Sequence, residues 1–436
     1  MLTKKTEADQ SSNFTAVDVG STVIKVARIR DGVVLDQIFH NRLSDKEIYS
    51  QVKGILGAPA EEALSDEILC CSSANGGLRV GIVCLTNSFS GEVFRNQTLL
   101  AGGNPVFEQT LGEQEPVGTY VDILLVGGGI DCEDAGPLHE RLSHFRPDLY
   151  NFGSLIFAGN SYLADYFHHL FPASHIIDNP LTSELTGRNL CVLESLRRAY
   201  LDDLVKREFT GKLQKELHHA IRPTPEVVSA GFSRILNNQS SIKVAGPIIL
   251  LDIGGATTDV HYATELVRPD SNNSPLAGSS VARYVFTDLG VVASGECTRT
   301  LLRQEHRLYQ FIESLGLSNI RTRYQDLREG ETEISQDLLS YACYFMALDR
   351  MHNKGNGSVP TIDLRKVSTL ILTGGASQGL DKDALSALFR VVSESESSAP
   401  LIMIDYEYQI WIDGILSQTD SLTSDAAECK QDPCRN

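Results

Sequence analysis

At 436 residues the chain is long enough for two or three domains, and its 42% hydrophobic content supplies the cores they need, so a fibrous or wholly disordered protein is excluded. A formal net charge of -18 argues against a nucleic-acid partner, because a polyanion would be repelled. Nine cysteines without paired CxxC elements read as reduced thiols, and neither a signal-peptide core nor a run near the ~20 apolar residues of a membrane span occurs, so the expectation is a cytoplasmic protein with no membrane contact.

A polar arm over 1–13 precedes two strands in 14–30, where Val17, Val19, Val23, Val26 and Ile29 alternate around a Gly-Ser break. Residues 79–86 and 121–127 read as buried strands, the second running into three glycines, and 154–170 as a strand followed by a helix. The charge-rich stretch 191–221 has helical spacing and ends at Pro223 and Pro225. The pattern then restarts at 247–263 with strand, glycine turn and strand. VDVGSTVIKVARI and LDIGGATTDVHYA match in order of residue types, which implies two lobes built on one plan. An exposed excursion at 268–279, helices near 294–327 and 335–352, the strand LILTGG at 370–375 and a final helix burying Trp411 complete the chain. The expected division is a first lobe over 14–245 with a helical insertion near 185–222, a second lobe over 246–418, and a disordered tail over 419–436.

Three glycine-rich segments carry the chemistry. In the first, Asp18 ends a strand and can hold hydrated Mg²⁺, Gly20 lets backbone N–H groups approach phosphate oxygens, and Ser21 and Thr22 offer hydroxyl donors, with Lys25 close behind. In the second, Asp252 repeats the carboxylate and Gly254, Gly255, Ala256, Thr257 and Thr258 repeat the cradle. In the third, Gly374, Gly375 and Ala376 follow a buried strand, a turn against which a nucleoside can lie flat. Taken singly, each has a competing reading as a tight hairpin, a glycine bulge or a strand-to-helix turn. Their joint order resembles that of the actin, sugar-kinase and heat-shock ATPase superfamily, and the resemblance implies an α/β, two-lobed, ribonuclease H-like fold with mixed sheets that holds ATP and Mg²⁺ between glycine hairpins. A fourth run, Val126 to Asp131, could be a further cradle in which Asp131 positions an attacking water, or a plain βα turn.

A closer resemblance lies in AVDVGSTVIKV, CSSANGGLRVGIVCL, DILLVGGG, LIFAGN, RPTPEVV, LLDIGGATTDVH, TDLGVVAS, LILTGGASQGL and YEYQIWIDGIL, spread over about 14–417. They are similar to the glutamate-mutase-associated family of MutL or GlmL type, which is distinct from the mismatch-repair protein of similar name. That resemblance implies an ATP-hydrolysing chaperone or reactivating factor whose partner is an adenosylcobalamin-dependent mutase. Asp18 and Asp252 would hold the metal. A small-molecule kinase or ATP-dependent hydrolase of the same fold is the alternative, and homo-oligomerisation stays open.

Overall fold

The structure, a computed structural model, describes residues 13–20, 23–31, 33–43, 47–57, 67–72, 78–101, 103–181, 191–206, 221–244, 246–268, 280–292, 294–304, 336–353, 359–394 and 399–417. Outside these residues lie the arm over 1–12, Ser21 and Thr22, the excursion from 269 onward, the distal parts of the 191–221 and 294–327 helical stretches, and the tail. Fifteen strands among the described residues form three five-stranded sheets.

The N-terminal sheet is built from β1 (Asn13–Val19), β2 (Val23–Arg30), β3 (Val33–Asn41), β4 (Glu67–Ser72) and the two-residue β10 (Arg222–Pro223). The C-terminal sheet uses β11 (Ile248–Ile253), β12 (Thr258–Ala263), β13 (Val281–Phe286), β14 (Thr369–Thr373) and β15 (Leu401–Ile404). In each, a three-stranded antiparallel meander continues into two parallel strands, giving the same spatial order: third, second, first, fourth, fifth. The repeated sequence unit is therefore a repeated sheet. This is the expected α/β architecture with mixed sheets.

Between β4 and β10 the chain inserts a sheet that the sequence alone does not separate from the first. It comprises β5 (Arg79–Cys84), β6 (Asn104–Thr110), β7 (Val117–Gly128), β8 (Tyr150–Gly159) and β9 (His175–Ile176), all parallel, in the order β6-β5-β7-β8-β9. The near-continuous apolar runs VGIVC, ILLV and LIFA suit strands covered on both faces. One face packs with the N-terminal sheet around Val17, Ile24, Val80, Ile82 and Ile123, joined by Ile48 and Val52 of helix α1 (Ile48–Gly57), Phe94 of α2 (Glu92–Leu100) and Val192 and Leu196 of α5 (Cys191–Lys206). The other packs on α3 (Gly136–Ser143) and α4 (Ala164–Leu170) through an aromatic set that includes Phe145, Phe157 and Phe167. On the C-terminal sheet, α7 (Gly295–Gln304), α8 (Gln336–His352) and α9 (Lys382–Ser393) bury one face.

The remaining two helices exchange sheets. Helix α6 (Thr224–Leu236) follows the N-terminal sheet in the chain, yet Val228, Phe232 and Ile235 pack on Ile248, Leu250 and Ile371 of the C-terminal sheet. Helix α10 (409–417) follows the C-terminal sheet, yet Trp411, Ile412 and Ile415 pack on Phe14, Ala16, Ile29 and Leu69 of the N-terminal one. The two helices cross backbone to backbone. A Cβ at Gly231 would collide with the Ile410 carbonyl, and one at Gly414 with the Val227 carbonyl.

That crossing gives a test. Gly231→Ala and Gly414→Ala are each expected to lower stability by about 1–3 kcal/mol in thermal denaturation, because the collision is with backbone and neither helix can give way without unseating Trp411 or Phe232. Gly54→Ala, in α1 with open space around the new methyl, is expected to raise it by about 0.5–1 kcal/mol. Melting curves in which the crossing variants match the wild type would contradict the arrangement.

Candidate active site

The same register step places one carboxylate at the same position in each repeated sheet. In the N-terminal sheet, Lys25, Asp18 and Cys71 lie side by side across β2, β1 and β4. In the C-terminal sheet, Asp259, Asp252 and Thr373 lie side by side across β12, β11 and β14. Both rows open into one cavity of about 300 Å³, which Asp18, Gly20, Lys25, Asp252, Gly254, Gly255, Ala256, Thr257, Gly374, Gly375 and Ala376 all line.

Asp18 is 1% exposed and fully partnered. Its Oδ2 accepts from Lys25 Nζ at 2.9 Å, and its Oδ1 from Thr224 Oγ1 at 2.6 Å and Cys71 Sγ at 3.4 Å. The Cys71 thiol in turn accepts from Trp411 Nε1 at 3.1 Å. Burial and the adjacent Asp18 carboxylate push that thiol well above its ordinary pKa, so it stays protonated and able to donate. Thr224 opens the sheet-exchanging helix α6, so the carboxylate is tied to the crossing.

Lys25 is shared. Burial alone would pull its ammonium down, but Asp18 and Asp252 outweigh that and hold its pKa above the ordinary value. The ammonium also sits 4.6 Å from the centre of the Tyr408 ring and 5.9 Å from that of Trp411. Asp252 is the opposite case. Burial raises its pKa to about 6, Lys25 opposes the rise, and the neighbouring Asp259 and Asp18 add to it. The acidic pair therefore carries more negative charge than one lysine balances.

The two hairpins close alike, with Gly20 N–H donating to the Val23 carbonyl at 3.0 Å and Gly254 N–H to the Thr257 carbonyl at 2.9 Å. Behind the second turn, Val291 and Val292 N–H groups donate to the Gly254 and Gly255 carbonyls at 3.2 and 2.8 Å, and Ser294 Oγ to the Ala256 carbonyl at 2.5 Å. Gly374 has φ 89°, and a Cβ there would strike Asp252 Oδ1, so only glycine lets the third turn lie against that carboxylate.

Two anticipated site residues lie elsewhere. Thr258 is fully buried and its hydroxyl donates to the Leu289 carbonyl at 3.0 Å, because the strand pleat turns it away from the cavity that Thr257 and Asp259 face. Asp131 stands at the end of the parallel sheet, where its Oδ1 accepts from Ser161 N–H at 2.8 Å and Asn179 Nδ2 at 3.0 Å, and it is not part of the cavity wall. These contacts tie together the loops after β7, β8 and β9. Conversely, sequence reasoning missed Thr224, Cys71, Asp259, Arg283 and Tyr408. Asp259 closes the ATTD run, and its period-two relation to Thr257 is the one signal that could have found it.

The model of the family described as "MutL protein" matches residues 14–428. The chain belongs to that family. A curated relative, "Protein MutL" of Clostridium tetanomorphum, is 26% identical over 237 residues, covering 51% of this chain and 50% of its own length, so the match spans about half of that relative. Among solved structures, gluconate kinase of Lactobacillus acidophilus aligns over 95% of this chain and 90% of its own at 11% identity and a TM-score of 0.35. Component A of (R)-2-hydroxyglutaryl-CoA dehydratase from Acidaminococcus fermentans aligns over 93% and 97% at 10% identity and a TM-score of 0.27. In this MutL-family chain, no helix among the described residues is long and apolar enough to cross a membrane.

The raised pKa of Asp252 sets a pH-dependent cost. A carboxyl favoured in its neutral form by the fold stabilises at low pH and loses that contribution as pH rises through about 6. Asp252→Asn, without nucleotide, is therefore expected to be more stable than the wild type above that pH, by on the order of 1 kcal/mol once solvent in the cavity is allowed for, with the gap narrowing toward pH ~5. Thermal melts across that range check it; a variant less stable at neutral pH would contradict the assignment.

Proposed function

We propose that the cavity binds ATP with Mg²⁺ and that hydrolysis there drives relative movement of the two sheet-centred lobes, 14–245 and 246–418, on a partner protein. The observation that carries this reading is the convergence of both strand-end aspartates and all three glycine turns on one cavity, with Lys25 between the acids. A volume of about 300 Å³ lies at the lower end of the range for small-molecule sites.

The donor set suits the ligand. Two carboxylates are hard oxygen ligands of the kind Mg²⁺ takes, directly or through its waters. The magnesium ion would supply charge neutralisation between the phosphates. Asp18 and Asp252 would hold it from opposite sheets, and Lys25, between the two acids, would be in place to meet phosphate oxygens. The hairpin at Gly254–Thr257 presents backbone N–H groups and the Thr257 hydroxyl to the transferring phosphoryl group, and the Gly374–Ala376 turn with Tyr408 offers a flat wall to the nucleoside. No nucleophilic side chain is required: positioning and electrostatics suffice for phosphoryl transfer to water.

Movement follows from the exchanged helices. α6 starts on Asp18 through Thr224, and α10 reaches Lys25 through Tyr408 and Trp411, so a ligand that redistributes charge among Asp18, Lys25 and Asp252 acts on both elements that cross between lobes. Such a switch does work only on a partner that binds its two states unequally. The family assignment and the sequence resemblance to the glutamate-mutase-associated type support an adenosylcobalamin-dependent mutase as that partner, with the chain acting as its chaperone or reactivating factor.

Purified protein is expected to hydrolyse ATP slowly and severalfold faster when a cobalamin mutase carrying inactivated cofactor is added, with phosphate release as the readout. Lys25→Met is expected to weaken Mg–ATP binding by about tenfold or more through loss of a charge-assisted contact. Stoichiometric phosphate transfer to a metabolite, with no response to the mutase, would establish a kinase instead.

A further inference from the structure

Arg283 on β13 is 5% exposed. An arginine withdrawn this far from water is costly unless its donors are used, and here they are used in two directions. Its Nε (2.8 Å) and Nη2 donate to Asp259 Oδ1, while its Nη1 donates to the Leu99 carbonyl at 2.5 Å. Leu99 lies in the last turn of α2, where a cationic donor is doubly favoured because the final carbonyls lack helical partners and carry the negative end of the helix dipole. That helix belongs to the inserted parallel-sheet unit and is packed against β13 of the C-terminal sheet. A single guanidinium therefore fastens the inserted unit to the sheet that carries the second glycine turn.

The other oxygen of the same carboxylate faces that turn. Asp259 Oδ2 accepts from Thr257 Oγ1 at 3.0 Å. Thr257, Asp259, Arg283 and Gly103, just beyond the end of α2, all border the cavity. A continuous chain of polar contacts thus runs from Thr257 through Asp259 and Arg283 to the end of α2.

A hydroxyl has one proton to give. If Thr257 donates to a phosphate oxygen in the turn, Asp259 Oδ2 loses its donor. Nε and Nη2 of Arg283, both now on Oδ1, would then take one carboxylate oxygen each in a side-on bidentate pair, the stronger geometry, and the shift of the rigid guanidinium toward Oδ2 would draw Nη1 from the Leu99 carbonyl. Occupancy of the turn and attachment of α2 would then compete for the position of one guanidinium.

We propose that Arg283 is a positioning residue that couples phosphate occupancy of the 254–257 turn to the seating of the inserted parallel-sheet unit, releasing the end of α2 when phosphate is bound. The coupling rests on the reading of that turn as a phosphate site. It gives a route by which nucleotide state reaches β6 and the edge of the parallel sheet, well outside the cavity.

Hydrogen–deuterium exchange of the full chain tests it, with and without saturating Mg²⁺ and a non-hydrolysable ATP analogue. In the wild type, uptake in the peptide covering 93–103 is expected to rise by about threefold or more in rate on binding. In Arg283→Lys, whose single ammonium cannot serve Asp259 and Leu99 in alternate geometries, the nucleotide-dependent difference is expected to vanish although calorimetry shows the analogue bound. Arg283→Gln should behave likewise and stands in if the lysine variant does not fold. The same nucleotide-dependent difference in either variant, or none in wild type that binds the analogue, would overturn the proposal. Absence of binding by wild-type protein would instead remove the phosphate-site reading on which it rests.

Discussion

Two carboxylates ending equivalent strands of two sheets share one lysine ammonium, and the arrangement of the molecule around them follows from that imbalance of charge. Asp18 tolerates near-complete burial because Lys25, Thr224 and Cys71 supply three donors from three other elements. Among the described residues Asp252 has no comparable set, and burial, with Asp259 and Asp18 nearby, raises its pKa to about 6 against the opposing pull of Lys25 and Arg283. A buried carboxylate left short of positive charge is a standing demand for a cation. Stability in the resting protein is given up at the place where binding a cation restores it, a trade that recurs at functional sites.

Asp18 is also tied to both helices that exchange sheets, to one through Thr224 and to the other through Cys71 and Trp411. Thr224 begins the helix that leaves the N-terminal sheet to pack on the C-terminal one, and Tyr408 just precedes, and Trp411 lies in the first turn of, the helix that makes the reverse journey. The Gly231–Gly414 crossing brings their backbones into direct contact, so the helices cannot part without exposing Trp411 and Phe232. Closely packed interfaces of this kind shift between discrete arrangements more readily than they deform. The inserted parallel sheet adds a third body, held to the N-terminal sheet by a broad apolar face and to the C-terminal sheet through the neighbourhood of α2 and β13.

Much of this was legible in the amino-acid sequence, and its limits have a physical pattern. Asp18-Val19-Gly20 and Asp252-Ile253-Gly254 announced themselves because a strand-end carboxylate beside a glycine is a local device, and their repetition gave the paired sheets. The glycines at 374 and 375 were readable because a buried strand runs straight into them. What stayed hidden depends on register between distant segments: nothing near Thr224 or Cys71 in the chain says that either will meet Asp18, and nothing near Leu99 says that its carbonyl will receive Arg283. The apolar runs at 79–86 and 121–127 were recognisable as strands, but continuous hydrophobicity does not say which sheet a strand joins. Asp131 was singled out because it follows three glycines, whereas the structure places it outside the cavity wall, with Oδ1 accepting from Ser161 and Asn179. Thr258 was within reach of sequence reasoning, since period-two alternation already separates it from Thr257 and Asp259.

The central claim is that both aspartates serve one cation bound with one triphosphate. A crystal structure of the chain with Mn²⁺ and a non-hydrolysable ATP analogue tests it through the anomalous signal of the metal. The account predicts a single strong peak between the Asp18 and Asp252 carboxylates, next to phosphate oxygens, with Lys25 Nζ moved from Asp18 toward the phosphates. A metal peak outside that cavity, or a nucleotide whose phosphates lie away from the 254–257 turn while Lys25 remains on Asp18, would contradict it.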